Sequence, residues 1–154
     1  MAEAKPVLIL DVIKARLARI TTANGYHSDA GADQYEGYLA QALAEDARSA
    51  YPFIALQPGV DQRVAKTSGG TLKRRVNFHL VVVDRLVEGI TTTLLNHAED
   101  VIRAVADKDN TEYFDGHAVN SEVMDIDYQI PEMGGAVAWA AVQIAADYTL
   151  DLKP

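Results

Sequence analysis

The side chains in this sequence that could do chemistry are few, and their spacing completes no known constellation. His27, His79, His97 and His117 never form a two-residue or four-residue ligand pair. His97 and Asp100 share a helical spacing but have no third ligand nearby in sequence, so a metal centre is not expected. Asp107-Lys108-Asp109-Asn110 opens like a calcium loop. Glu112, however, stands where that loop requires glycine, and Ala118 where it requires glutamate. Asp125 and Asp127 sit two apart, roughly 7 Å along one strand face, a separation that would suit paired-carboxylate work. A half-exposed strand alternates charged and apolar residues for solvation alone, which is the expectation adopted. Lys66-Thr67-Ser68-Gly69-Gly70 has phosphate-loop ingredients without the glycine before the lysine, and it precedes a strand where that loop needs a helix. It is expected to be a hairpin tip. There is no cysteine, hence no thiolate nucleophile, disulfide or iron–sulfur ligation, which suits a chain that folds in reducing cytosol. No catalytic, cofactor-binding or metal-binding residue is expected, and no enzymatic activity.

The elements able to position side chains are written by periodicity. Ile9, Ile13, Leu17 and Ile20 recur at helical steps from Val7 to Thr22, with Pro6 suited to the first turn and Asn24-Gly25 to the stop. Residues 26–50 read mostly as loop with a short helix possible between Tyr38 and Ala47. Tyr51 to Leu56 is a strand-sized apolar run ended by Pro58-Gly59, and Leu72 to Asp84 alternates as a strand, with Gln62 to Thr71 the flexible tip between them. Leu94, Ala98, Val101, Ile102 and Val105 write a second helix ending near Lys108, with Thr91, Thr92 or Thr93 as its cap. Met124, Ile126, Tyr128 and Ile130 alternate with Asp125, Asp127 and Gln129. From Val137 to Leu150 both faces are apolar, so this last strand wants cover on both sides. The order predicts a single α+β domain, with one mixed or antiparallel β-sheet carrying two main helices on one face and a long β-hairpin arm.

With 154 residues, 49% hydrophobic and 23% charged side chains, the chain has room for a real core, which excludes disorder, collagen and rod. A net charge of −8 argues against a dedicated nucleic-acid binder. The first residues lack the basic and apolar stretches of a secretory signal, and the apolar-rich run Met133 to Ala146 is too short to span a bilayer as a helix. Charge is unevenly distributed. Gln62 to Val83 carries Arg63, Lys66, Lys73, Arg74 and Arg75 with no acid, +5 in all, against −13 for the rest. Basic side chains guarding a strand edge would explain this, and so would a docking arm for an acidic partner. The second apolar face of the last strand, with Trp139, calls for a neighbouring subunit or for the 38–56 segment folding back over it.

The order of elements and several local phrases resemble the tail terminator, or tail completion, family of long-tailed bacteriophages. The resemblance lies in the opening helix closing on Thr21-Thr22-Ala23-Asn24-Gly25-Tyr26 with Ser28-Asp29-Ala30-Gly31 after it. It continues through Arg74 to Arg85 running into His97-Ala98-Glu99-Asp100-Val101-Ile102-Arg103, and through the paired strands Glu122 to Pro131 and Ala136 to Leu150. It spans nearly the whole chain, apart from a longer and more alanine-rich stretch at Tyr35 to Ala50. The resemblance implies a virion protein without cofactor, assembled in the host cytoplasm into a homo-oligomer, a hexameric ring. That ring caps the head-proximal end of the tail tube, ends polymerisation of the tail tube protein and offers a surface to head–tail connector or neck proteins. Genomic DNA would pass through its acidic lumen without specific binding, and no membrane is involved. A neck or head-completion protein is the nearest alternative; a small-ligand or enzymatic α+β domain is more distant. In this frame Arg63, Lys66, Lys73, Arg74 and Arg75 are expected to dock on the tube or a neighbour, and Trp139 with the edge of the last strand to pack the ring. Reversal of Arg74 and Arg75 to Glu is then expected to leave a folded protein that no longer caps tubes.

Overall fold

A computed structural model describes residues 3–44, 50–66, 69–106, 113–132 and 134–153, with only the backbone of 65 and 66. The first helix, α1 (Lys5–Leu17), begins with Pro6 in its first turn and buries Ile9, Ile13 and Leu17 along one stripe. It ends five residues before the expected Thr22. Beyond Leu17 the chain turns so that Ile20 also enters the core, and the Gly31 amide donates to the Ile20 carbonyl at 3.1 Å. Gly31 is required there, because a Cβ would overlap the carbonyl oxygen of Leu17.

The stretch expected as mostly loop contains strand β1 (Gln34–Glu36), which was not expected, and the short helix α2 (Leu39–Ala44), which falls where a short helix was possible between Tyr38 and Ala47. Strand β2 (Phe53–Lys66) does not stop at Pro58-Gly59. It irons out Gly59 and Val60 in a register shift between Pro58 and Asp61, then pairs again with β3 (Thr71–Arg85). Proline is tolerated because β1 covers β2 only from Ile54 to Leu56, leaving Pro58 on an open edge. The tip is accordingly shorter than the expected Gln62 to Thr71, and its residues 67 and 68 lie outside the described residues, as does the calcium-loop-like stretch 107–112 and the expected helix end at Lys108.

Helix α3 (Ile90–Val105) starts at Gly89, whose φ of 82° supplies the left-handed N-cap; none of the three threonines does. Its buried stripe of Ile90, Leu94, Ala98, Val101 and Val105 follows the predicted periodicity. Strands β4 (Asn120–Gln129) and β5 (Val137–Asp151) complete one five-stranded sheet in the order β1-β2-β3-β5-β4. Only the β1–β2 pair is parallel, so the sheet is mixed.

α1 and α3 share one face of that sheet, as expected for an α+β layer pair. Their apolar stripes meet Ile54, Leu56, Val76, Phe78, Leu80 and Val82, and the residues Ala138, Ala140, Val142, Ile144 and Ala146 of β5. The opposite face carries a second, smaller core of Phe53, Ala55, Val81 and Val83 beneath Ala42 of α2, with Leu39, Tyr35, Tyr51, Val137, Trp139 and Ala141 packed around it. The chain itself therefore covers the apolar half of that face. β3 is flanked by β5 over its whole length, from Arg85↔Val137 to Thr71↔Asp151, so the β2–β3 hairpin is built into the sheet up to its tip.

Candidate assembly surface

The charged hairpin residues do not act as one patch, because cross-strand neighbours claim two of them. Arg63 faces Arg74 across the hairpin. In the second half of β2 the register shift brings Asp61 level with Val76, and there Arg74 Nε donates to Asp61 Oδ1 at 2.7 Å while the Tyr148 hydroxyl donates to Oδ2 at 2.8 Å. The Asp61 hydrogen bond raises the Arg74 pKa further above its already high value. Burial first, and the bond to Asp61 second, hold the Tyr148 phenol above its ordinary value. Both oxygens of Asp61 are thereby committed to tying β2 to β3 and β5.

Arg75 points to the other face and grips Asp147 with two donors, Nε at 2.7 Å and Nη2 at 3.2 Å, with Glu122 of β4 at 3.9 Å. Asp147 is only 3% exposed in the middle of the sheet. The hydrogen bond from Arg75 lowers its carboxyl pKa against the opposing push of burial, and the same bond raises Arg75. One step along, Gln143 Nε2 donates to Asn77 Oδ1 at 3.1 Å and Asn77 Nδ2 to the Val60 carbonyl at 2.8 Å. This polar ladder spans the half of the face that α2 does not reach, and it satisfies Asn77 and Asp147 where they are buried.

Arg74 and Arg75 are thus internal fasteners of the sheet. Reversing them to Glu would set carboxylates against Asp61 and Asp147, so loss of capping by that variant would report damage to the fold; the expected clean test of docking does not hold. The sequence tally overlooked Asp61, which stands one residue before the segment counted, and Asp147. The signal for the second was legible: it is a lone acid in the apolar run Ala145-Ala146-Asp147-Tyr148, a residue that must find a cation if buried. Among the described residues Arg63 is exposed with no acid in contact, and Lys73 is half-buried; the Lys66 side chain lies outside the described residues.

Trp139 is half-buried against the α2-covered core. Its strand β5 runs between β3 and β4, and β4 covers that edge from Trp139 to Asp147, so an edge of the last strand is open only past Asp147. Open edges run along the outer side of β4, along β2 beyond Leu56 and along β5 past Asp147. β4 leaves Met124, Tyr128 and, just past its end, Ile130 each 39–40% exposed, beside the exposed acids Asp125, Asp127 and Glu132. Met124 and Asp125 together stand opposite Gln143 in a register shift between Val123 and Ile126, and Asp127 accepts both its hydrogen bonds from Gln129 Nε2 at 3.0 Å. Both aspartates are exposed.

The helical pair His97 and Asp100 is also divided. His97 Nε2 lies 2.8 Å from Asp84 Oδ2, while Asp100, 1% exposed, accepts the His27 backbone amide with both oxygens. Each fastens α3 to a different neighbour. Among the described residues no three His, Asp or Glu side chains gather as metal ligands, and no helix is long and apolar enough to cross a membrane. A pocket of about 280 Å³ lined by Tyr113, Asn120, Glu122, Val123 and Ile144 opens between the end of α3 and β4. Comparison with models of known protein families finds no match, and comparison with curated protein sequences finds no significant one.

Proposed function

We propose that this chain is a structural subunit of the tail-terminator kind, which assembles into a ring on the head-proximal end of a phage tail tube, ends tube polymerisation and offers the surface on which the head is joined. Its place would be the virion. The observation that carries this reading is the outer strand β4, where Met124, Tyr128 and Ile130 stay substantially exposed, in contrast to β3 and β5, which are buried along most of at least one face. Apolar side chains left exposed on an open strand, Met124 on one face and Tyr128 on the other, beside exposed acids have the make-up of a protein-contact surface. The resemblance in element order supplies the kind of assembly, and the helix-covered mixed sheet agrees with the α+β subunit it implies. The acidic balance of −8 suits a conduit whose walls repel DNA phosphate.

Negative-stain imaging of the purified chain, alone and with the tail tube protein of the same virus, tests this. Rings seated on one end of tubes of limited length are expected. A chain that stays monomeric at high concentration and leaves tube growth unaltered refutes the proposal. Binding to DNA-filled heads but not to tubes would assign it instead to the neck or head-completion class.

A further inference from the structure

An asparagine side chain is electrophilic at Cγ, and the nucleophile nearest to it is the backbone nitrogen of the following residue. Of the five asparagines, Asn24, Asn77, Asn96, Asn110 and Asn120, only Asn24 precedes a glycine, whose missing Cβ leaves its nitrogen uncrowded. Asn110 lies outside the described residues. Asn77 and Asn120 are fixed in β3 and β4, and Asn96 in α3. Asn77 is also buried, with its amide nitrogen bonded to the Val60 carbonyl and its amide oxygen to Gln143. Asn24 and Gly25, by contrast, are both exposed, at the end of the single turn Thr22–Asn24 that follows α1. A Cβ built on Gly25 would meet nothing within 4 Å, so a ring closed at this position has room.

The structure assigns Asn24 as a site of spontaneous deamidation. The Gly25 nitrogen gives up its proton and bonds to Asn24 Cγ; the Cγ–Nδ2 bond breaks, and the side-chain nitrogen leaves as ammonia, closing a five-membered succinimide. Water then opens the ring. Attack at Cγ yields aspartate, and attack at the Asn24 backbone carbonyl carbon yields isoaspartate, with the main chain rerouted through Cγ. Water and hydroxide are the only other reactants. Folding slows this reaction without stopping it. The Gly25 amide donates to the Thr22 carbonyl at 3.1 Å and Asn24 Nδ2 to the Arg19 carbonyl at 2.9 Å, and both bonds must open before nitrogen meets Cγ. Two exposed hydrogen bonds of ordinary net strength hold the rate roughly tenfold to a hundredfold below that of the unfolded chain. The product disturbs the fold, because the Arg19 carbonyl lies just past the C-terminal end of α1. Deamidation replaces its donor with a carboxylate, close to the negative end of the helix dipole. Isoaspartate also lengthens by one carbon the turn leading to His27, whose backbone amide is bonded to Asp100 of α3.

Ageing the full chain in mildly alkaline buffer, with peptide mass spectrometry at intervals, tests the assignment; a parallel sample is unfolded in guanidinium chloride. In the folded chain, exchange of the amide for a carboxylate is expected at Asn24 at least about tenfold faster than at Asn77, Asn96 or Asn120, and roughly tenfold to a hundredfold slower than at Asn24 of the unfolded sample. The rate should rise with hydroxide concentration, since the attacking nitrogen must lose its proton. Asn24→Gln would have to close a slower six-membered ring, so this variant should show no conversion at the position. Fresh Asn24→Asp should unfold at a lower temperature than fresh wild type, as should the aged wild type. A folded rate at Asn24 no greater than at the other three asparagines, or more than about a thousandfold below the unfolded rate, overturns the assignment, because the turn would then be closed to the reaction.

Discussion

Replacing Asp147 by Asn keeps the side-chain volume and removes only the charge that Arg75 grips. Asp147 is 3% exposed and takes two hydrogen bonds from the guanidinium, at 2.7 and 3.2 Å. Breaking a fully buried ion pair by removing one partner costs about 3–5 kcal/mol. Here the Arg75 side chain is 24% exposed and has Glu122 at 3.9 Å, so water and Glu122 recover part of its solvation. Asn still offers one neutral acceptor. The loss is therefore expected at about 2–3 kcal/mol at pH 7, or a fall in thermal midpoint of roughly 5–10 °C for a domain of this size. The pH dependence adds a second readout. Because the folded carboxyl titrates below its unfolded value, its contribution is fully present above the unfolded carboxylate pKa of ~4 and is lost as the pH falls through the lowered folded value. Urea denaturation of wild type and Asp147→Asn should therefore differ by the full amount from about pH 5 upward and converge as the pH falls through the lowered folded value. A difference below about 0.5 kcal/mol at pH 7, within the range of ordinary surface substitutions, or one that does not shrink in acid, refutes the view that this pair fastens the sheet.

Two further substitutions test the packing. Gly31→Ala should destabilise the chain by at least about 3 kcal/mol in urea denaturation, because the added methyl meets the backbone carbonyls of Leu17 and Ile20; a change under 0.5 kcal/mol would show that this turn can move aside. Ala42→Asp places a carboxylate at a fully buried position of α2, which should cost about 1–3 kcal/mol and shift the fluorescence of Trp139, the single tryptophan, to the red while the helical circular dichroism from α1 and α3 persists. Unchanged emission would mean that α2 does not cover that face.

Much of the architecture was legible because its signals are long and local. The four-residue recurrence of Ile9, Ile13 and Leu17, and of Leu94, Ala98 and Val101, can be satisfied only by helices with one buried face. The two-sided apolar pattern from Val137 to Leu150 demanded a strand covered on both sides, and β5 lies inside the sheet, between β3 and β4, with a core on each face. β1 was hidden, and α2 was legible only as a possible short helix between Tyr38 and Ala47, for the opposite reason. Three strand residues and six helix residues are too short to carry a period, and they form because β2 offers partners: the Ile54 amide to the Asp33 carbonyl at 3.0 Å, and a surface for Ala42. Pro58-Gly59 read as a stop for a similar reason, since only the sheet topology reveals that the strand there is an edge able to absorb a proline.

The candidate surface divides along the same line. Amino-acid order alone determined that the chain is acidic with a basic hairpin, that it lacks cysteine chemistry, and that two amphipathic helices must share a sheet, since each of these is a property of composition or of neighbours within a few residues. Tertiary structure alone decided that two of the five basic residues, Arg74 and Arg75, are fastened to acids. Arg74 meets Asp61 thirteen residues away and Arg75 meets Asp147 seventy-two residues away, and an ion pair between distant residues exists only once strand register has brought them side by side.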